Sequence, residues 1–521
     1  MKGVELTRKT LENLRFRASQ ITVWQTATGA AIWLMAIYLG ALSVELHRGL
    51  NTSAYDFGLY DQGIWLLSEF KNPFVTLMGR NLFGDHTSFV LLFLVPFYWF
   101  VGSTSFLFVV QAIAIAAGAI PVFLYARKRL ASEIFATVFA VVYLIHPASV
   151  WIGLENFHPD SFLGLLIGVS LYAALENRWR LFFVMAILGL SVKEDVALVL
   201  IPLGVWITLR KNRTVGLTTV VASLWYMILA IFGIQQGING VGFRNSWRIP
   251  FGGWGGLISK SFTDPLDVAS YLVSESRPYY LLQLALPTAM IFFAFPEVAA
   301  IAILVVGANI VSTFWYQFHI EYHYSFVVVP ILVFGTIHAI GRLPLKFRKS
   351  LVGVCVVTSL FSAFMWSPLP GGRTQIAYNR SKLESASAAR EAMGKVPSSA
   401  VVSAYRMNCA ENQDRHNYER IVILNMKLIP KSTDNICPDN QNCNCCNFRE
   451  SKENHRRWQS QLQQIVRTRF ADKVTCDIQG VCEKFADQST PSAKRYAPRV
   501  AKAHTVDPLL NTEYRQNHVP Q

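Results

Sequence analysis

Residues 21–44, ITVWQTATGAAIWLMAIYLGALSV, form an apolar run long enough to cross a bilayer as one helix, which takes about 20 residues. A basic segment, residues 1–20, precedes the run, as in a signal peptide. The run is too long for the apolar part of a typical signal peptide, and it shows no clear small-x-small cleavage motif. We therefore predict a cytoplasmic basic N-terminus followed by a retained first membrane helix.

The composition of the whole chain agrees with this start. The chain has 521 residues, 52% of them hydrophobic, and a mean hydropathy of +0.31. Such a composition excludes an ordinary soluble domain and allows many membrane crossings. The formal net charge of +15 does not indicate a nucleic-acid partner, because much of the lysine and arginine flanks apolar runs, where it sets membrane topology.

Further apolar runs follow the first one. They lie near residues 87–101, 104–126, 131–152, 161–176, 181–193, 196–209, 215–233, 280–295, 297–316, 324–341 and 349–366. The run at 88–101 is short and contains Pro96, so we predict a re-entrant or interfacial segment there. The sequence thus predicts an all-α polytopic membrane domain over residues 21–366, with about 11 spanning helices.

The basic clusters then share one side of the membrane. They are the N-terminal segment and residues 127–129, 178–180, 210–213 and 342–349. Basic loops stay in the cytoplasm, so the N-terminus is predicted to be cytoplasmic and the membrane to be the plasma membrane. Six polar islands emerge on the opposite, external face: residues 55–62, 84–86, 155–160, 193–195, 235–280 and 319–324.

Residues 367–521 differ from the rest of the chain. Pro368, Pro370, Gly371 and Gly372 mark the boundary, and the residues that follow are too polar to span a membrane. We predict a small external soluble segment, poorly ordered or α/β, with a strand at residues 421–429. Seven of the eight cysteines lie in this tail, where an external compartment permits disulfides.

The first island, YDFGLYDQ at residues 55–62, places two carboxylates beside the first membrane helix. Asp56 and Asp61 are separated by about 140° on a helix, so a single helix would not direct both at one site. We predict a helix over residues 59–70, with Asp56 in the loop before it and Asp61 in its first turn. Either carboxylate is a candidate catalytic base; the alternative is a helix-start charge at Asp61 and a solvated Asp56.

The other islands supply candidate residues for binding substrate or phosphate. Asp85 and His86 orient a phosphate or form a cap, and His158 binds phosphate, transfers a proton or only completes a polar turn. Lys193 and Glu194 lie between two runs of about 13 residues, too short to span, so Lys193 pairs with a carboxylate or holds a phosphate. The remaining candidates are Arg244, Arg248, His323 and Tyr324.

Metal binding has weak support in the sequence. His319 and His323 are four residues apart with Glu321 between them, but the HExxH order is absent. One aspartate and one histidine, Asp85 and His86, are too few to specify a metal. We assign no metal ligands and no certain cofactor, and leave a divalent cation open.

Five motifs occur in a fixed order: YDFGLYDQGIW, GDHTSFVLLFLVPFY, ENFHPDSF, KEDVAL and EYHYSFVVVP. From about residue 20 to about residue 405 the chain resembles the prokaryotic polytopic membrane family called domain of unknown function 2079. That family looks like the GT-C class of integral-membrane glycosyltransferases. The resemblance implies a GT-C-like fold and transfer of a sugar from a polyprenyl-phosphate donor to a glycan, lipid or protein acceptor on the outer face. It also implies a first-loop aspartate as base or acceptor-binding group, Asp56 before Asp61.

In this hypothesis Asp56 deprotonates the acceptor hydroxyl. Arg244, Arg248 or Lys193 stabilises the departing phosphate, which His158 and His323 position. Two alternatives use the same features differently: a transporter or flippase of a lipid-linked intermediate, and a non-catalytic membrane scaffold whose external tail binds a partner. All three place the protein among membrane lipids.

Overall fold

The computed structural model describes residues 21–49, 51–53, 55–101 and 103–374. The predicted segment at residues 1–20 and the tail beyond residue 374, with its predicted strand and its cysteines, lie outside these ranges. The described chain is mostly helical, which confirms the predicted helical class.

The α-helices are α1 (Val23–Arg48), α2 (Asp56–Ser68), α3 (Phe106–Ala117), α4 (Ala119–Leu130), α5 (Glu133–Ile145), α6 (Pro147–Glu155), α7 (Leu163–Leu175), α8 (Trp179–Leu190), α9 (Ala197–Arg210), α10 (Arg213–Ile228), α11 (Gln236–Asn239), α12 (Trp254–Thr263), α13 (Pro265–Leu272), α14 (Arg277–Ala285), α15 (Ile303–Val311), α16 (Val328–Arg342) and α17 (Leu345–Trp366).

Shorter elements connect these helices. The 3₁₀ helices are Leu82–Gly84, Phe89–Trp99, Pro159–Phe162, Glu194–Val196, Arg244–Arg248, Leu286–Thr288, Ile291–Ala294, Ala299–Ala302, Trp315–Phe318 and His323–Ser325. A π-helical stretch, Leu229–Gln235, joins α10 to α11. Two short antiparallel strands, β1 (Phe74–Val75) and β2 (Arg80–Asn81), pair Phe74 with Asn81.

Within the described ranges, five helical stretches are long and apolar enough to cross a membrane, judged by length and composition. They are Val23–Arg48, Phe106–Leu130, Arg213–Asn239, His323–Arg342 and Leu345–Trp366. Helices α5 and α6 make a sixth if they count as one span bent by 43°. Pro147 begins α6 and explains the bend, since proline cannot donate the backbone hydrogen bond that would continue α5.

Several predicted apolar runs form helices shorter than the roughly 20 residues of a full span. These shorter apolar helices are Phe89–Trp99, Pro159–Leu175, Trp179–Leu190 and Ala299–Val311. The 3₁₀ conformation of Phe89–Trp99, with Pro96 inside it, agrees with the prediction that this run differs from an ordinary spanning helix.

Helix α16 lies in the core of the bundle, and other helices form its apolar exterior. Fully buried side chains of α16 are Ile331, Val333, Phe334 and Ile337, and the helix contacts α4, α5 and α7. In contrast, Trp33 in α1 is 63% exposed and Trp225 in α10 is 66% exposed. Large apolar groups that face outward are favoured in lipid rather than in water, so this surface supports a membrane location.

Basic residues meet at one end of α16. The end of α4 approaches the end of α16, since a Cβ atom on Gly341 would lie 2.5 Å from Arg129 Nε. Lys128 forms an ion pair with Glu176, and Lys211 donates a hydrogen bond to the Leu175 carbonyl over 2.8 Å. The basic segments 127–129 and 210–213 therefore both contact the C-terminal end of α7, which directly precedes the basic segment 178–180. Segment 127–129 also lies against the end of α16.

Helix α2 begins earlier than the sequence analysis predicts. It starts at Asp56, and not at residue 59. Just before this start, the Ser53 hydroxyl accepts hydrogen bonds from the backbone N–H groups of Tyr55 and Asp56, both over 3.2 Å. These bonds give partners to amide groups that the start of a helix leaves unpaired. Asp56 therefore lies in the first helical turn and Asp61 in the middle of the helix, a correction to both predicted positions.

Candidate functional site

Asp56 and Asp61 lie in different environments. Asp61 is 5% exposed and accepts a hydrogen bond from the Tyr98 hydroxyl over 2.8 Å. Asp56 lies close enough to His158 and Tyr60 for its charge to act on both side chains. The angular separation predicted for the two carboxylates is thus reflected in their neighbours, and Asp56 is the one beside the third polar island, residues 155–160.

A buried glutamine of α3 holds that third island in place. Gln111 is fully buried, and its Nε2 group donates to the carbonyl oxygen of Asn156 over 2.8 Å. Its Oε1 atom accepts from the backbone N–H of His158 over 2.9 Å. The Asn156 side chain in turn accepts from the backbone N–H of Ser53 over 2.8 Å, which joins the start of α2 to the end of α6.

Glu155, His158 and His323 form a compact group. The Glu155 carboxylate accepts from the backbone N–H of His323 over 2.8 Å, and His323 Nδ1 lies 3.2 Å from the same carboxylate. His158 Nε2 is 3.6 Å from Glu155 Oε1, and the two imidazole rings stack with centroids 3.9 Å apart. One nitrogen or oxygen atom from each of the three side chains lies within 4.8 Å of the other two.

His158 is buried and lacks hydrogen-bond partners. Its side chain is 4% exposed, and neither ring nitrogen has a hydrogen bond within the described part of the chain. Burial, aided by the His323 ring, lowers the pKa of His158 to about 4, although Glu155 and Asp56 act in the opposite direction. The imidazole is therefore neutral at neutral pH, with a lone pair available to a ligand.

Lys193 brings a buried positive charge to the same place. Its side chain is 7% exposed, and Nζ lies 3.8 Å from Asp160 Oδ1 and 3.5 Å from Asp195 Oδ2. Burial disfavours the ammonium form, but Asp160 and Asp195 outweigh burial and raise the pKa of Lys193 above its ordinary value. The lysine is therefore charged, as expected for an ionisable group paired below a membrane surface. We refer to Asp56, Glu155, His158, Asp160, Lys193 and His323 as the charged cluster.

The second island, residues 84–86, contributes His86 beside the cluster and Asp85 in a separate ion pair. His86 Nδ1 lies 2.7 Å from Glu194 Oε1, and the backbone N–H of Thr87 donates to Glu194 Oε2 over 3.1 Å. Asp85 instead forms an ion pair with Arg80. His86 and Glu194, neighbours of Lys193, therefore lie at one edge of the cluster, whereas Asp85 pairs with Arg80, which is not part of it.

The two predicted arginines are placed differently. Arg248 stacks on the Phe314 ring, 4.2 Å from its centroid, and interacts with the Tyr324 side chain. The Tyr324 ring lies 5.4 Å from Lys193 Nζ, so Arg248 is linked to the cluster through one aromatic side chain. Within the described ranges, no hydrogen bond or ion pair joins Arg244 to the cluster.

The histidine pair at 319 and 323 is separated in the structure. His319 Nε2 lies 3.1 Å from the Ser276 hydroxyl, and its ring packs edge-on against Trp315. The chain from 315 to 325 forms short 3₁₀ turns instead of an α-helix, so a spacing of four residues does not place both imidazoles on one face. His323 therefore finds its partner imidazole in His158.

Four residues in or beside the cluster were not among the candidates predicted from the sequence. Glu155, Asp160 and Asp195 lie in recognised islands but were not selected, and Tyr60 packs edge-on against His158 with ring centroids 5.9 Å apart. The signal for Glu155 was present, since it is a carboxylate at the end of an apolar run. Its two histidine partners depend on folding and have no local signal.

Comparison with known proteins identifies one family. No curated protein and no solved structure matches the chain. The family model described as predicted membrane protein (DUF2079) matches residues 46–407, which include the charged cluster and every helix from α2 to α17. The chain therefore belongs to the DUF2079 family of predicted membrane proteins.

Proposed function

We propose that the protein is an integral-membrane glycosyltransferase that transfers a sugar from a polyprenyl-phosphate donor to an acceptor on the outer face of the membrane. The observation that carries the proposal is the charged cluster itself, which gathers carboxylates, imidazoles and an ammonium inside an otherwise apolar bundle. Charges buried in such surroundings are costly and usually line a polar substrate site. A scaffold would not need them.

Asp56 is the proposed base. It accepts the proton of the acceptor hydroxyl while the acceptor oxygen forms a bond to the anomeric carbon of the sugar. The bond between that carbon and the phosphate oxygen breaks, and its electron pair leaves with the polyprenyl phosphate. Attack opposite the leaving group inverts the anomeric configuration. Asp61 has no part in this step, because its carboxylate accepts a hydrogen bond from the Tyr98 hydroxyl.

Lys193 is the proposed group that stabilises the departing phosphate. Its ammonium lies 3.5 Å and 3.8 Å from two carboxylate oxygens, too far for strong hydrogen bonds, so its N–H donors remain available to a phosphate. Arg248 interacts with Tyr324, whose ring lies near Lys193, and adds positive charge, while His158 and His323 position the phosphate. Arg244 lies in the same short 3₁₀ helix as Arg248, and we assign it to binding of the polyprenyl-phosphate donor.

The proposed topology keeps about 11 spans, a cytoplasmic N-terminus, an interfacial segment at residues 88–101 and an external tail at residues 367–521, in the plasma membrane. The ends of α16 support this orientation. Arg129 packs at the C-terminal end of the span His323–Arg342, whereas His323 begins it. Twenty helical residues extend for roughly 30 Å, so the proposed topology has the basic loops and the cluster on opposite sides of an apolar layer.

The test uses the purified full chain in lipid nanodiscs with polyprenyl-phosphate sugars. The donors are chosen from the lipid-linked sugars that accumulate in a deletion strain. We expect release of polyprenyl phosphate by the wild type and a loss of at least about 100-fold in Asp56→Asn. Asp61→Asn is the matched control and should stay near the wild-type rate, because its amide oxygen still accepts from Tyr98.

Equal rates in Asp56→Asn and Asp61→Asn would contradict the assignment of the base. If the wild type moves labelled lipid between leaflets but releases no polyprenyl phosphate, the cluster serves transport and the enzyme proposal is wrong. If neither transfer nor movement occurs, and Asp56→Asn leaves the cellular phenotype intact, the scaffold hypothesis replaces both.

A further inference from the structure

We propose that Glu155, His158 and His323 bind a divalent transition-metal ion of the zinc class. Glu155 ends α6, His158 lies just before the 3₁₀ helix Pro159–Phe162, and His323 begins another 3₁₀ helix just ahead of α16. Their potential ligand atoms lie within 4.8 Å of one another, although the chain separates Glu155 and His323 by 168 residues. Folding has brought three donors together that no local motif would unite.

The donor set favours zinc over magnesium or calcium. Imidazole nitrogens suit zinc and similar transition metals, whereas magnesium and calcium prefer sites made of oxygen ligands. Two histidines and one glutamate are a ligand set found in catalytic zinc sites, where the fourth position of the tetrahedron stays open for water or substrate. A metal bound here would have that position free for an anionic group.

Unsatisfied groups in the site also favour the binding of a cation. Both ring nitrogens of His158 are buried without a hydrogen-bond partner, although buried polar atoms are nearly always paired. The Glu155 carboxylate is 11% exposed, and within the described ranges its ion-pair partners are the two histidines and no lysine or arginine. The nearby Lys193 instead lies between Asp160 and Asp195. A divalent ion would bind one ring nitrogen of His158 and neutralise the charge of Glu155.

The ligand atoms lie close to the spacing that zinc needs. Ligand atoms of a tetrahedral zinc ion lie about 3.3 Å apart for bonds of about 2.05 Å, so the donor atoms, which lie within 4.8 Å of one another, must approach by at most about 1.5 Å. The two imidazole rings stack at 22° to each other, so one ring must also tilt for both lone pairs to point at one ion. Gln111 fixes the backbone of His158, and the backbone N–H of His323 orients one oxygen of Glu155. Such outer contacts commonly tune metal affinity.

Metal binding can be tested without any assay of glycosyl transfer, and its failure would leave the proposed function in place. The full chain, purified on a tag that contains no histidine, is stripped with a chelator and titrated with Zn²⁺. Bound metal is measured by elemental analysis, and Co²⁺ serves as a visible probe of tetrahedral coordination. We expect the wild type to bind one equivalent more than His158→Ala, His323→Ala or Glu155→Gln.

His319→Ala is the matched control, because it removes an imidazole from the same segment but outside the site. It should retain the equivalent that the three ligand variants lose. Cysteines of the tail also attract zinc, so the difference between variants is the measure, not the total. Zinc should raise the thermal midpoint of the wild type and of His319→Ala, since a ligand of the native state stabilises it. A ligand variant that is unstable but still gains the same shift would refute the site.

The proposal is also wrong if the wild type binds no more Zn²⁺ or Co²⁺ than His158→Ala, or if Mg²⁺ binds in preference to both. His158→Gln provides a second variant of similar polarity for the case in which His158→Ala does not fold. It should remain monodisperse and lose the same equivalent of metal.

Discussion

The backbone N–H of His323 donates a hydrogen bond to the Glu155 carboxylate over 2.8 Å, although 168 residues separate the two along the chain. The bond joins the end of the bent pair α5 and α6 to the start of the core helix α16. It therefore places the charged cluster beside a deeply buried helix of the bundle, where packing helps to hold the side chains.

Gln111 should be the most sensitive polar residue outside the cluster. Gln111→Met keeps the volume but removes the bonds to Asn156 and His158, which leaves buried backbone groups unsatisfied. We expect the free energy of unfolding in detergent to fall by about 2–4 kcal/mol. Gln235→Met is the control: Gln235 is also buried, yet its Nε2 atom has no partner, so the change should stay within about 1 kcal/mol. Equal effects would contradict the role of Gln111.

Close packing of α9 on α10 requires glycine at residue 216. A Cβ atom there would lie 2.3 Å from the Thr208 backbone nitrogen and 2.5 Å from the Gly204 carbonyl oxygen. Gly216→Ala should lower the free energy of unfolding by about 2–3 kcal/mol, because the two backbones must move apart. Gly353→Ala in α17 meets nothing within 4 Å and should be neutral or stabilising by about 1 kcal/mol. The stabilities of the two variants are compared by thermal unfolding.

The His86 and Glu194 pair should make stability depend on pH. Burial opposes the charged form of His86, but the Glu194 carboxylate raises the pKa of His86 above 6.5. The charge of Lys193 acts to lower this pKa, and the charge of Asp85 acts to raise it. Because the pKa of His86 is raised in the folded state, its pairing with Glu194 stabilises the protein fully below about pH 6.5. This contribution to stability is lost as the pH rises through the raised pKa.

The measurement is the thermal midpoint as a function of pH. Between about pH 6 and 8.5, the midpoint of the wild type should fall more steeply than that of His86→Gln. Glu194→Gln should lose the same extra slope, because it removes the other half of the pair. Parallel curves for all three proteins would show that the pair contributes no pH dependence.

Membrane orientation can be tested at two exposed positions. Lys71 follows α2 on the predicted external side, and Arg180 lies in a predicted cytoplasmic loop. In a cysteine-free background, Lys71→Cys should react with a membrane-impermeant maleimide on intact cells, whereas Arg180→Cys should react only after permeabilisation. The reverse pattern would place the charged cluster on the cytoplasmic side and overturn the proposed topology.

Local patterns predicted part of the candidate site. Long apolar runs identified a helical membrane protein, and polar islands between them pointed to His158, Lys193 and His323, all members of the cluster. Local patterns failed where a partner comes from a distant segment. Asp85 was selected together with His86, yet Asp85 forms an ion pair with Arg80. The spacing of His319 and His323 suggested a pair only if that segment were an α-helix, which it is not.

The sequence by itself determined the class of protein and the family. Those properties depend on hydropathy and charge summed over short segments against a bilayer about 30 Å thick. Only the tertiary structure decided that Asp61 bonds to Tyr98 while Asp56 lies near His158, and that Glu155 joins two histidines. The reason is physical: such contacts depend on how helices from distant parts of the chain pack, and no local pattern records that packing.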